Sequence, residues 1–360
     1  MLSIRSLRRD DIPQIAGLHA RVFPAASRLP AKDREPYFIR IFLDNPWYDE
    51  EIPPLVCEED GKILGFLGVL PRRMLMNGQA VRVAVSSQFI VEQGKRAALV
   101  GAALLKRFFA GAQDLSMTDG GSAHLRKLWE ALGGVTSTLY SLHWVRILRP
   151  SQYLLSLACS YRPLYPLVLL KPLGMLTDTI VAHLPRSPFR LRRQIPERDL
   201  GVDELLTWIR QASCDRLLRP QYDEHSLPWV LKNAEEKFPT GRLRRVAVHT
   251  EAGAKIGWYL YYVRPGGVSQ VVQVEAQPDA VRAVLDHLFY HAWRHGSVAV
   301  SGRLEPQYAD ALWERKCLLG FFGPWFLFQS RRPEILNAIH RADAFLTRLD
   351  GEWWMPFFSF

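Results

Sequence analysis

The residues best suited to chemistry lie in one stretch, FIVEQGKRAALVGAALLKRFF, from Phe89 to Phe109. It reads as an apolar strand running into a helix through a basic turn that contains glycine. Such a turn can cradle a phosphate. The first N–H groups of a helix have no intrahelical partners, and the helix dipole draws anions to that end. Lys95 and Arg96 add positive charge. Only Gly94 and Gly101 are glycines, and Leu99 falls where a phosphate loop would most want one. Leu99 and Val100 also suit the apolar face of a helix, so a cradle and a core connection can coexist there.

The elements that must position this turn occur twice in the 360 residues. Pro150 and Pro333 lie 183 residues apart, in HWVRILRPSQYLL and PWFLFQSRRPEIL. Trp129 and Trp313 are 184 apart, and Val91 and Val274 again 183. Upstream, Gly61 pairs with Gly253 and Gly65 with Gly257, both 192 apart, which places a nine-residue deletion in the second copy between Gly257 and Val274. Four matches in one order indicate a duplication. Each copy reads as a strand and helix, a hairpin, a long apolar strand, a helix, a strand, an amphipathic helix and a closing strand. The spacing predicts helices over Arg96–Phe109 and Ser122–Leu132, the second with Ser122 as N-cap. This order predicts an α/β fold with mixed sheets.

Composition narrows the function classes. Apolar residues make up 48% and charged residues 23%, as in globular chains, and the net charge is +10. A basic surface suits nucleic acid, an anionic membrane face or phosphorylated ligands, and it also serves plain solubility. No basic tail, zinc spacing or RNA-binding signature is present, which argues against nucleic acid. Cys57, Cys159, Cys214 and Cys317 form neither a CxxC pair nor a disulfide framework. Together with an N-terminus that reads as strand and helix rather than signal peptide, this points to the cytoplasm. The proline-interrupted segment 151–189 has an uncharged apolar run of only Pro163 to Leu170, short of the roughly 20 residues of a spanning helix. It reads as a connector. The sharper alternative is a peripheral contact at the inner membrane face, with Arg190, Arg192 and Arg193 near lipid phosphates.

The order of elements resembles the GNAT superfamily, the GCN5-related N-acetyltransferases. The family signature runs approximately V-x-P-x-x-R-G-x-G-x-G-x-x-L-L, and here the chain reads VEQGKRAALVGAALL. Val91 matches the strand's last position, Arg96 the Arg, Gly101 the last Gly, and Leu104 and Leu105 the Leu pair. In the next helix, SAHLRKLWEALGG sets Ser122 for the family's Asn, Trp129 for its Tyr and Gly134 for its Phe. The resemblance implies two tandem GNAT-like domains, each a mixed, mostly antiparallel sheet flanked by helices. Their expected bounds are 1–150 and, in degenerate form, 190–333, with a C-terminal helix and aromatic tail over 334–360. It implies acetyl-CoA or another acyl-CoA as co-substrate and no metal. The pyrophosphate would sit on the N–H groups of Arg96, Ala97, Ala98, Leu99, Val100 and Gly101, with Ser122 nearby. The thioester arm would run along Ser87 to Val91, against Phe89, Ile90 and Val91, where the family's strand splays from its neighbour.

Acyl transfer to an amine needs a base, oxyanion donors and an acid for the thiolate. Trp129 has no titratable proton, so the family's Tyr role is vacant or moved. Tyr140, expected on the final strand, and His124, one turn before Trp129, are candidate acids; strand packing and a surface histidine are the plain alternatives. Asp119 and Ser87 are candidate bases or orienting groups, although Asp119 in TDGGS also suits a turn. His19 and Asp44 fall where acceptor-binding helices usually lie. The second copy reads VEAQPDAVRAVLDHL at the cradle. Pro278 removes an N–H and Asp279 places negative charge where phosphate would sit, so this copy is structural or acceptor-binding.

The tail predicts an amphipathic helix through Ile335, Leu336, Ile339, Ala342, Leu346 and Leu349. The aromatic end would pack over the second copy, or expose Trp353, Trp354, Phe357, Phe358 and Phe360 to a partner or membrane. The reading is an N-acyltransferase acting on a small amine or amino-sugar acceptor. The alternatives are a tandem GNAT protein without catalysis, or a FemAB-like aminoacyltransferase.

Overall fold

A computed structural model describes residues 2–23, 31–160, 167, 169–184, 187, 189, 196–237 and 241–356. Arg190, Arg192, Arg193, Phe357, Phe358 and Phe360 lie outside the described residues, as does most of the run 163–170.

The chain begins β1 (Ser3–Ser6), α1 (Ile12–Val22), α2 (Ala31–Phe42), β2 (Leu55–Glu59), β3 (Lys62–Met76) and β4 (Gln79–Val91). Then follow α3 (Ala97–Phe109), β5 (Leu115–Gly121), α4 (Ala123–Ala131), β6 (Val135–Ser137) and β7 (His143–Ile147). Next are α5 (Pro150–Ser160), α6 (Lys171–His183), β8 (Glu197–Asp199), α7 (Val202–Ala212), β9 (Leu218–Pro220) and α8 (Ser226–Glu235). The second copy continues with β10 (Arg242–His249), β11 (Lys255–Val263), β12 (Val268–Ala276), α9 (Val281–Arg294) and β13 (Ala299–Arg303). The last elements are α10 (Ala309–Glu314), β14 (Leu318–Gly320), β15 (Trp325–Ser330) and α11 (Pro333–His340).

Two mixed sheets result, flanked by helices, as expected. One has eight strands in the order β1-β2-β3-β4-β5-β15-β6, with β9 pairing β3. The other has seven, in the order β14-β7-β13-β12-β11-β10-β8. In each, one parallel pair of three residues joins the long strand to the next: Val83–Val85 to Leu115–Met117, and Val268–Gln270 to Ala299–Ser301. The duplication is therefore visible in the pairing itself. The nine-residue deletion is a shortened hairpin, since β3 and β4 have 15 and 13 residues and β11 and β12 have nine each.

The closing strands are exchanged. β7, which ends the first copy, pairs with β13 and β14 of the second. β15, which ends the second copy, pairs with β5 and β6 of the first. The two compact units are accordingly Met1–Ser141 with Leu206–Asn233 and Gly323–Phe360, and Leu142–Leu205 with Ala234–Phe322. These differ from contiguous domains bounded at 150, 190 and 333. The repeat also needs one local correction. Gly134 N–H bonds Trp129 O and Cys317 N–H bonds Leu312 O, so Leu312, not Trp313, stands in Trp129's place. Trp129 is fully buried, whereas Trp313 is 67% exposed.

In the first unit α3 lies on the sheet through Val100, Leu104, Leu105 and Phe108, which pack with Cys57, Leu67, Val69, Trp129 and Leu327. Gly65 permits this approach: a Cβ there would come within 2.7 Å of Val100 Cγ1. Leu99, by contrast, is 60% exposed, so it is not the core residue the helical pattern suggested.

The expected long C-terminal helix stops early. Asp343 N–H bonds Ala338 O and Ala342 N–H bonds Ile339 O, with Ala342 at φ 60°: a Schellman termination built on alanine. The chain from Ala344 to Met355 then runs buried without regular structure, as a strap within the first unit. Within that unit it packs against Leu218, Tyr222 and Trp229, which belong in sequence to the second copy.

Candidate active site

The site arises where β4 and β5 part. Their parallel pairing ends at Val85 and Met117. Beyond that point β4 stays with β3, and β5 stays with β15, its partner on the other edge. A bulge in β4 coincides with the parting. The β3–β4 register shifts between Phe66 and Gly68, and Gln88 takes a left-handed φ of 49°. A non-glycine residue held there costs on the order of 1–3 kcal/mol, and such strain gathers where a strand must be re-aimed. The splay implied by the family resemblance is thus present, and the bulge at Gln88 is its local cause.

Between the parted strands lies a cavity of about 1010 Å³. Ser86 to Phe89 and Val91 form one wall. Gly94, Lys95, Ala97, Ala98 and Gly101 bring the turn and the first turn of α3. Ser122, His124, Leu125, Lys127, Leu128 and Ala131 line it from the α4 side. Lys95 and Lys127 place two ammonium groups at an otherwise largely apolar site. Small side chains at Ala97, Ala98 and Gly101 leave the helix N-terminus accessible.

One carboxylate at the fork had no signature in the local sequence. Glu352, on the strap, lines the cavity and accepts from Thr118 Oγ1 at 2.5 Å. Burial pushes its carboxyl up to about 8. The bond from Thr118 opposes the shift, the nearby Asp119 charge adds to it, and bonds from the Ser87 hydroxyl and Gln88 N–H oppose it further. A carboxylate titrating near neutrality is suited to proton transfer.

The strap is held in register by buried contacts. Glu352 N–H donates to Asp119 Oδ1 at 2.7 Å, and Trp354 Nε1–H to Gly351 O at 2.8 Å. Asp350 accepts from Thr347 N–H at 2.7 Å and from the Tyr222 hydroxyl at 2.8 Å. The Arg72 guanidinium lies 4.3 Å from the Trp47 ring centroid and 5.4 Å from that of Trp354. Gly351 is sterically required, since a Cβ there would come within 2.1 Å of Asp119 Cγ. Gly351→Ala is therefore expected to cost about 1–3 kcal/mol of stability by overpacking. It should lower the melting temperature and turnover together, because Glu352 is the next residue. Thermal unfolding checks this; an unchanged melting temperature would mean that the strap yields freely.

The candidates read from sequence divide clearly. Ser87 and His124 line the cavity. Ser87 is buried, with its hydroxyl 3.0 Å from Met355 Sδ, and His124 is exposed in the first turn of α4. Asp119 is buried within β5 rather than in a turn, and it binds the strap instead of lining the cavity. Tyr140 sits in a short 3-10 turn, not on the final strand, and its hydroxyl donates to Ala344 O at 2.6 Å. That makes it a packing residue.

Of the cofactor residues, Phe89, Val91, Ala97, Ala98, Gly101 and Ser122 line the cavity. Ile90 points into the core and Val100 packs under α3. Arg96 is the N-cap residue of α3, but its guanidinium pairs with Glu59 at 2.9 Å outside the cavity lining, and Lys95 lines the cavity instead. Leu99 points to solvent, so it does not crowd the phosphate position. Ser122 caps α4, accepting Leu125 N–H at 3.1 Å. His19 is buried against Phe23 and Phe38, and burial lowers its pKa to about 4. Asp44 is exposed and pairs with Arg9.

The second unit has the same fork, closed by a side chain. The β12–β13 pairing stops at Gln270 and Ser301. There the Tyr308 hydroxyl accepts from Ala276 N–H at 3.1 Å and donates to Glu275 Oε1 at 2.6 Å. Among the described residues, no group of His, Cys, Asp and Glu could hold a metal ion.

Residues 3–116 match the family model described as an acetyltransferase (GNAT) domain. The first unit thus carries a stretch that matches a GNAT acetyltransferase domain. Solved structures of similar fold extend over nearly the whole chain. A GCN5-related N-acetyltransferase from Anabaena variabilis ATCC 29413 aligns with a TM-score of 0.58 and 13% identity, covering 94% of this chain and 75% of that one. A GCN5-related N-acetyltransferase from Kribbella flavida gives 0.54 and 13%, covering 92% and 72%. Saccharomyces cerevisiae N-myristoyltransferase, solved with myristoyl-CoA and inhibitors, gives 0.52 and 12%, covering 97% and 86%. Among curated protein sequences none matches.

Proposed function

We propose that the first unit transfers an acyl group, acetyl in the simplest case, from acyl-CoA to the amine of a small acceptor such as an amino sugar. The carrying observation is the cavity between the parted strands, with the Glu352 carboxylate at its fork and Lys95 and Lys127 on its lining. Its volume of about 1010 Å³ is at the upper end for small-molecule sites, as a nucleotide thioester requires. The phosphates would meet the two lysines and the α3 N-terminus. The pantetheine arm would lie along Ser87 to Val91, whose edge toward β5 is unpaired beyond Val85.

Glu352 would take a proton from the acceptor ammonium. The freed lone pair attacks the thioester carbonyl and the C–N bond forms; the nitrogen then gives up its second proton to His124, the C–S bond breaks and CoA leaves as thiolate. His124, which lines the same cavity, can return a proton to that sulfur. The second unit would bind no acyl-CoA, given Tyr308 in its fork and Pro278 and Asp279 at its turn.

Calorimetry with acetyl-CoA tests the reading, with one site per chain expected. A Cβ on Gly101 would face Phe89 Cζ at 3.5 Å and Leu128 Cδ2 at 3.7 Å, so a leucine there would project into the cavity. Gly101→Leu should weaken binding by about tenfold or more, that is by about 1.4 kcal/mol or more. Absence of wild-type binding at millimolar acetyl-CoA would overturn the proposal.

A further inference from the structure

The helix pair α5–α6 has its polarity reversed relative to an ordinary hairpin in water. Its inner face is small and polar. A Cβ on Gly174 would come within 2.9 Å of Leu155 Cδ1, so the helices approach closely there. Thr177 Oγ1 is 2.9 Å from Ser151 Oγ. The buried Asp178 carboxylate accepts the N–H groups of Ser151 and Gln152 at 2.8 and 3.1 Å, capping α5 from the neighbouring helix. The outer face is apolar. Leu173, Leu176, Ile180 and Leu184 follow one another at steps of three or four and are 59, 60, 55 and 49% exposed. Leu154 and Leu157 on α5 are 66 and 52% exposed. Of the seventeen large apolar side chains exposed among the described residues, nine fall between 154 and 184. Patches this concentrated mark an interaction surface rather than ordinary scatter.

We infer that this hairpin docks the protein onto an anionic lipid surface. The charge pattern selects that occupant over a second copy of the chain. Residues 150–195 carry six Lys and Arg and a single acid, Asp178, which is already consumed in capping α5. Two such segments face to face would repel, whereas lipid headgroups of opposite charge would neutralise them. Spanning is excluded for these helices. Among the described residues no helix is long and apolar enough to cross a membrane, and the 13 residues of α6 extend only about 20 Å. The hairpin therefore lies along the interface, with its leucines in the acyl boundary. The inference is independent of acyl transfer, and its test needs no substrate.

Flotation of the full chain with phosphatidylcholine vesicles, with and without an anionic third of phosphatidylglycerol, provides that test. The wild type should float with the anionic vesicles and less with the neutral ones. The triple variant Leu173→Ser, Leu176→Ser, Ile180→Ser should lose about tenfold or more of its bound fraction. It should unfold at the wild-type temperature, because those side chains are exposed in the folded chain. Three results would overturn the inference: no flotation of the wild type, equal flotation of the variant, or light scattering that shows a wild-type dimer dissolved by the same substitutions.

Discussion

Glu352→Gln is expected to lower kcat by about 10²–10⁴-fold, the usual contribution of a positioned general base. Acetyl-CoA affinity should stay near its wild-type value, because the amide keeps the shape of the group and can still accept from Thr118. The pH dependence gives the sharper reading. Burial holds the Glu352 carboxyl near 8, so the free base, and with it kcat/KM, should rise through that pH and level off above it. The Gln variant should lack that limb. Stability runs the opposite way. A carboxyl raised in the folded state binds its proton more tightly there than in the unfolded chain. That stabilisation is complete below its ordinary value of 4.5 and is lost as pH rises through about 8. The wild type should therefore lose stability over this interval in a way that the Gln variant does not. A variant with unchanged turnover and an unchanged pH limb would remove Glu352 from the chemistry.

This assignment depends on a residue that local spacing could not reveal. Thr118 and Glu352 are 234 positions apart, and the strap that joins them has no regular structure. The apolar pattern through Leu346 and Leu349 instead reads as a continuing helix. Both side chains are indeed buried, but in an irregular segment with turns, because a left-handed alanine ends α11 at position 342. A turn signal was present in TRLDG, where Thr347, Asp350 and Gly351 make the bonds and the close approach that set Glu352 in place. Its meaning depended on Asp119, which is distant in sequence.

The elements around the turn were legible because their physics is local. Amphipathic spacing and a serine cap place α3 and α4 within a residue of where they form, with Arg96 and Ser122 as the N-cap residues. The direction of a single side chain was less so. Leu99 looked like an obstacle to phosphate, yet it lies on the solvent side, while its neighbours Ala98 and Gly101 face the cavity. Arg96 looked like a phosphate ligand, but Glu59 holds it elsewhere. Likewise nothing in SSQFIV announces that Gln88 is left-handed. Its conformation follows from a register shift against β3.

The second large effect follows from the exchanged strands. A fragment of residues 1–150 contains every turn and helix of the first copy, yet it should not fold alone. It lacks β15, which separates β5 from β6 and brings the buried Phe326, Leu327 and Phe328. It loses the backbone acceptor for Trp129, since the indole N–H donates to Phe328 O at 3.1 Å. It also lacks the buried strap with Trp354 and Met355. Each large apolar side chain missing from a core costs about 2–5 kcal/mol. Several at once exceed the roughly 5–15 kcal/mol by which a whole domain is stable. The fragment should show no cooperative thermal transition and should be cleaved rapidly by protease. Mixing it with residues 151–360 should restore both properties, because each fragment then supplies the strand the other sheet lacks. A fragment 1–150 that unfolds cooperatively by itself would mean that the first sheet closes without β15. The pairing of β5 with β15 makes the opposite outcome the expected one: without β15, one edge of the strand that carries Thr118 and Asp119 is left open beside the fork.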